Sequence, residues 1–247
     1  ANVISENTAI LASSRQILFE NLERNDAYGF DQDRAWNFGL NISQDFRLNY
    51  HDGIINFDVY HTTFENQVIL DLDRNPQEAV FTSLLGDSYS NSVQLQVDYE
   101  LVRRLSLRMA FRWLDVQVDY NTGQLEKPLI ARNRAFLNVE YKTRNNWAFD
   151  YTFQWTGQQR LPDTSSNPKG FQRSEYSDSF LLMNTQVTKN LKNNWAVYLG
   201  VENVGNYQQE DAIIGANDPF GEYFDSSMIW APIFGRMVYA GFRYRIP

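Results

Sequence analysis

Large apolar residues recur at every second position in segment after segment of this chain. The clearest run is Trp147, Phe149, Tyr151, Phe153 and Trp155, interleaved with Ala148, Asp150, Thr152 and Gln154. A helix, at about 3.6 residues per turn, would scatter those rings around its circumference, whereas a strand puts all of them on one face. The same period runs through residues 36–42, 55–59, 93–99, 105–113, 135–141, 195–201 and 238–246, and more weakly through 180–188. The pattern predicts about nine strands and no helix.

The connections between these strands fall into two classes that alternate along the chain. Short ones cover residues 50–53, 100–104, 142–146 and 189–194; long ones cover 71–89, 120–131, 157–177 and 203–232. An antiparallel meander inserted in a membrane from one side has this asymmetry, with tight turns at one surface and long loops at the other. A soluble sandwich with Greek-key connections has no reason to sort its loops. Aromatic residues gather near strand ends, at Tyr50, Tyr60, Tyr99, Trp113, Tyr120, Tyr141, Trp147, Trp155 and Trp195. Ordinary sheet propensity would also enrich them, but two girdles at the headgroup levels account for their position. Trp147, Phe149, Tyr151, Phe153, Trp155, Phe242 and Tyr244 are accordingly expected to face lipid.

Composition changes this picture little. Mean hydropathy is −0.49, which suggests a soluble protein until one allows that a transmembrane strand needs apolar residues only at alternate positions. Aromatics make up 15% of the 247 residues, too many for a disordered chain. The formal net charge of −8 argues against a nucleic-acid partner. There is no cysteine, so disulfides and thiolate chemistry are excluded. The start of the chain, residues 1–6, has neither the basic stretch nor the apolar core of a signal peptide.

Several stretches resemble one family: Ser88–Ser92, Arg132–Asn138, Gln154–Pro162, Tyr198–Val204, Asp218–Gly221 and Gly235–Tyr244. Together they resemble the C-terminal barrel portion of TonB-dependent outer-membrane receptors, most specifically in Glu202-Asn203-Val204 and the closing Gly-x-Arg strand. The resemblance implies an all-β, transmembrane, antiparallel up-and-down barrel, of which this chain would supply the C-terminal portion as a single domain over residues 1–247. The family barrel has about 22 strands and encloses an N-terminal plug, and a TonB box engages the energy-transducing partner. The implied setting is the outer membrane of a Gram-negative cell. The implied partners are lipid and lipopolysaccharide, the plug and remaining strands of the same receptor, the TonB complex and an imported small molecule. Iron–siderophore, cobalamin, oligosaccharide and peptide are all within the family's range. A passive porin-like channel and a surface adhesin are the rival readings.

Little else in the chain carries chemistry. His51 in a short turn and His61 at a strand end lack the partners of a zinc site, and no serine motif or phosphate loop accompanies them. No enzyme, catalytic residue, metal site or cofactor is expected. Asp71, Asp73 and Asn75 mimic the opening of a calcium loop, but Pro76 and Thr82 stand where its glycine and glutamate belong, leaving only a looser cation site as an alternative. Arg108, Arg112, Asp98, Glu140 and Asp150 should face inward, either along a path or in ion pairs of the wall. Ligand contact is expected in the long loops, through Arg160, Arg173, Tyr207, Asp211, Phe220, Tyr223, Phe224 and Trp230, although the aromatics among them could instead pack loop on loop.

Overall fold

The computed structural model describes residues 8–20, 33–84, 86–120, 123–192 and 194–246, so the start of the chain at residues 1–6 lies outside the described residues. Thirteen strands follow in order: β1 (Gln16–Glu20), β2 (Arg34–Leu48), β3 (His51–Asn66), β4 (Val68–Asp71), β5 (Glu78–Ser83), β6 (Ser88–Val102), β7 (Leu105–Tyr120), β8 (Gly123–Glu126), β9 (Asn133–Lys142), β10 (Trp147–Thr156), β11 (Phe180–Asn190), β12 (Trp195–Glu202) and β13 (Met237–Tyr244). Among the described residues, no helix is long and apolar enough to cross a membrane.

The nine strands that alternation predicts form one antiparallel wall, in the order β2, β3, β6, β7, β9, β10, β11, β12, β13. Each pairs with the next in sequence among them, which is the meander expected. β8 folds back on the end of β7, so this sheet has ten strands. The other three strands form a small sheet, β1–β5–β4, in which β1 runs parallel to β5. Neither the small sheet nor β8 shows in the period-two pattern. In β5, Ala79, Val80, Phe81 and Thr82 are all buried, so both faces of the strand are covered and an unbroken apolar run replaces alternation.

Strand ends differ from expectation in two places. β3 starts at His51 and continues to Asn66, so His51 opens a strand and His61 lies inside one. The turn between β2 and β3 is therefore only Asn49 and Tyr50, both left-handed at φ of 50° and 66°. Positive φ at both central residues is what a two-residue hairpin needs to match the strand twist.

Register gives the wall two faces of opposite character. Leu40, Val59, Val93 and Trp113 stand in one lateral row, and Ile42, Phe57, Leu95, Phe111, Ala135, Trp155 and Leu181 in the next. Further rows on this face hold Tyr99, Leu107, Val139, Tyr151, and Phe149, Val187, Leu199, Ala240. These side chains are exposed or half-exposed; Leu40, for instance, is 57% accessible. The opposite face carries Asn, Gln, Asp, Glu, Thr and Arg.

Almost no apolar side chain is buried in the wall itself. The buried ones collect at the end bearing the long connections, residues 67–87, 121–132, 157–179 and 203–236. Ile10, Leu72, Ala79 and Phe81 form one cluster with Ile17, Val68 and Leu70 packed against it; Ile69, Val118 and Tyr120 form a second. The protein is thus a bare two-faced wall with a consolidated cap at one end.

Candidate functional site

Two regions can meet a ligand: the cap and the polar face beneath it. Salt bridges hold the cap together across distant parts of the chain. Arg160 and Asp73 pair through two parallel bonds of 2.8 Å, with side chains 8% and 6% exposed. That fork joins the 157–179 connection to the 67–87 connection, and Gln77 adds an amide bond to Asn167 at 3.0 Å. Arg160 also donates through Nε to the Glu126 carbonyl, which draws in the 121–132 connection. Arg15 bonds Asp225 at 2.9 Å, ties residues 8–20 to the 203–236 connection, and reaches the carbonyls of Leu72 and Glu78. Buried ion pairs of this kind hold geometry because the loss of one partner strands the other charge.

Electrostatics follow from that packing. Burial is the largest influence on Asp71 and raises its carboxyl above the ordinary range; the nearby Asp73 charge adds to the rise, while amide bonds from Asp73 and Arg74 oppose it. Burial alone would lower Arg160, but the Asp73 carboxylate outweighs it and leaves the guanidinium raised. Tyr207 is raised by burial and by the charges of Asp178 and Glu210.

The eight loop residues singled out by sequence fall into four situations. Arg160 is sealed in its pair with Asp73. Tyr207 and Trp230 pack on Phe180, at ring separations of 5.3 and 5.9 Å, and Tyr223 stacks on Phe171 at 4.8 Å. Arg173 donates to the carbonyl of Asp211 at 3.0 Å, and the Phe224 carbonyl accepts from the Ser14 amide at 2.8 Å. Phe220 alone of the eight stands fully in solvent, at 101% accessibility. Packing of loop on loop therefore engages most of them.

The calcium-like stretch is likewise committed to internal bonds. Asp71 accepts from the amides of Asp73 and Arg74, Asp73 is held by Arg160, and Asn75 accepts from Gln77 at 3.0 Å. Its oxygens make a turn, and no group of three or more candidate metal ligands forms among the described residues.

On the wall, Trp147, Phe149, Tyr151, Phe153 and Trp155 share the apolar face, as do Phe242 and Tyr244. Rings gather at its two ends: Phe46 on Tyr99, Trp195 on Phe242 and Tyr244, and Lys189 over Trp147 at 4.8 Å toward the short turns. Trp36, Trp113 and Trp155 lie toward the cap. Two expected members of the girdles are elsewhere. Tyr60 lies on the polar face opposite Gly39, and Tyr120 is buried in the cap. His61 is on the apolar face near the cap, with Asn91 and Thr63 at 2.6 and 3.1 Å from its ring nitrogens.

Arg108, Arg112, Asp98, Glu140 and Asp150 all lie on the polar face. Polar contacts stitch much of that face, both between strands and along them. Asp98 takes Arg108 and the amide of Gln96; Glu140 takes Lys142 at 2.7 Å; Asn138 reaches Asp150 and Thr152 at 3.1 and 3.0 Å. Ser43 donates to Asn56 at 2.7 Å, and Tyr239 donates to Gln186 at 3.0 Å.

The chain matches the family model described as TonB dependent receptor-like, beta-barrel, over residues 23–204. No curated protein matches it. Among solved structures it is similar to the ferric-catecholate import receptor Fiu of E. coli K12, with a TM-score of 0.60, 11% identity, and 91% of this chain and 30% of that one covered. It is also similar to a mutant ferric enterobactin receptor PfeA of Pseudomonas aeruginosa in complex with enterobactin, at TM-score 0.65 and 11% identity, covering 87% and 32% of the two chains. The copper transporter OprC gives a TM-score of 0.62 at 12% identity, with 91% and 34% covered. These likenesses establish the fold, and the chain spans about a third of the length of the solved structures it matches. A two-faced meander with sorted connections, matched by the family model over most of its length, belongs to the TonB dependent receptor-like β-barrel family.

Proposed function

We propose that this chain is a C-terminal wall segment and outer cap of a receptor that imports a scarce nutrient across the outer membrane of a Gram-negative cell, powered through TonB. The observation that carries the reading is the open, two-faced sheet. Nine strands run in sequence with one face apolar and the other polar, and β2 and β13 each have a single neighbour among the described residues. Unpaired strand edges are not tolerated in hydrocarbon, so further strands must close the barrel. A barrel of about 22 strands, the size typical of the family, cannot fill its lumen with its own side chains, which supports a plug and gated passage over a self-filled barrel. In this reading the apolar face meets lipid, with lipopolysaccharide around the cap end. The short turns are periplasmic and the cap is outside. Ligand binds at the cap, and force on the plug opens the path.

The substrate class favoured is a metal or metal chelate, because Fiu, PfeA and OprC are described as handling these. The cap's packed loops support capture by a formed surface. Uptake of radiolabelled ferric chelate and of copper is measured in cells that carry or lack the intact receptor, with and without TonB. Receptor-dependent accumulation that vanishes without TonB is expected. Accumulation unaffected by TonB would mean a passive channel, and surface binding with no accumulation would mean an adhesin.

A further inference from the structure

One patch of the polar face lies outside this stitching and gathers two arginines. Register places Gln94 beside Arg112, Arg112 directly opposite Arg134, and Arg134 beside Thr156, in one lateral row across β6, β7, β9 and β10. Gln154 lies in the adjoining row, opposite Phe136. These five polar side chains, with Ala110 and Phe136, line a concavity of the wall. Among the described residues, none of the five makes a side-chain hydrogen bond, and neither arginine is in an ion pair. The next residue along the row toward β3 is Asp58, which faces Gln94 and is already bonded by Asn41. On the other side the row ends at Phe180, whose ring stacks with Tyr207 in the cap.

Like charges directly opposite each other on one face of a sheet repel. Arg108 meets Asp98, and Arg132 meets Asp115 and Glu126, so each of those guanidinium groups has a carboxylate. Arg112 and Arg134 have none among the described residues. The patch offers two planar guanidinium forks, two amides and a hydroxyl, and it has no acidic side chain of its own. Guanidinium forks match the paired oxygens of carboxylate and phosphate groups.

We propose that Gln94, Arg112, Arg134, Gln154 and Thr156 form an oxyanion-binding site just below the cap, which takes the carboxylate or phosphate groups of the imported compound. This rests on the polar face being the lumen, and it narrows the substrate to a multiply charged anion or a chelate presenting one. Bound oxyanion would cancel the repulsion between the two guanidinium groups, so occupancy and local stability rise together.

The test uses the intact receptor in detergent, titrated calorimetrically with inorganic phosphate and with citrate while chloride holds the ionic strength constant. Saturable binding of at least one of the two is expected, weakened about tenfold by Arg112→Gln or by Arg134→Gln. Without added oxyanion, Arg112→Gln should unfold no more easily than the wild type, because it removes a repulsion. Equal binding by wild type and both variants would overturn the proposal, and so would no binding by the wild type. A wild type that binds neither probe and is destabilised by either substitution would assign the arginines to a carboxylate elsewhere in the receptor, such as the plug, which also overturns it. Oxyanion binding can fail while TonB-dependent uptake persists, so failure here stays distinct from failure of the transport reading.

Discussion

Gly200 and Gly241 lie diagonally across β12 and β13, each beneath the ring of the tyrosine opposite, Tyr239 and Tyr198 respectively. A Cβ at either position would overlap that ring, so here the missing side chain is what lets the aromatic lie flat against the backbone. Gly200→Ala should therefore lift Tyr239 off the sheet and break its bond to Gln186. The expected cost is about 1–3 kcal/mol, offset by roughly 0.5–1 kcal/mol of recovered backbone entropy. Chemical denaturation of the reconstituted receptor measures it. In a Tyr239→Ala background the same change should become neutral or stabilising, because the clash is gone. A pH effect belongs to Asp71. Burial raises its folded-state pKa above the ordinary 3.8, so over that window the unfolded chain releases its proton first. Stability of the cap contributed by this group is thus present at low pH and lost as pH rises through the window. Hydrogen exchange at Val80 and Phe81, compared at each pH between wild type and Asp71→Asn, should show the wild type losing relative protection as pH rises above the ordinary carboxylate value.

At the scale of the element, wall and cap were unequally legible in the sequence, for a physical reason. A wall strand has a different medium on each side, so its alternation is written residue by residue, and β10 could be read from its five rings alone. β5 has protein on both sides and shows only a short apolar run that a loop could also carry. The cap depends on pairs that no local pattern marks: Arg15 with Asp225 lie 210 positions apart, and Asp73 with Arg160 lie 87 apart. Arg160 was visible as a charge in a long connection, but its partner was not, so its structural role could not be read. Arg112 was legible as inward-facing, whereas its alignment with Arg134 needed the register. The two media also give a substitution test. Tyr151→Arg would put a guanidinium among hydrocarbon and should destabilise the barrel by about 2–4 kcal/mol. Thr152→Arg, one residue along, loses chiefly its bond to Asn138 and should cost about 1 kcal/mol. Equilibrium unfolding in lipid vesicles separates the two.

For the molecule as a whole, the account rests on lipid against one face and an aqueous or protein-filled interior against the other. The tight turns at one end, the consolidated cap at the other and the open edges of β2 and β13 all take their meaning from that division. The most direct test places single spin labels at each position from Ala148 to Trp155 of the intact receptor in bilayers, and measures collision with oxygen and with a water-soluble nickel chelate. The account predicts a period of two, with Phe149, Tyr151, Phe153 and Trp155 accessible to oxygen and shielded from nickel, and Ala148, Asp150, Thr152 and Gln154 shielded from lipid-phase oxygen. Uniform accessibility along β10, or rings shielded from lipid while the residues between them are exposed to it, would contradict the account.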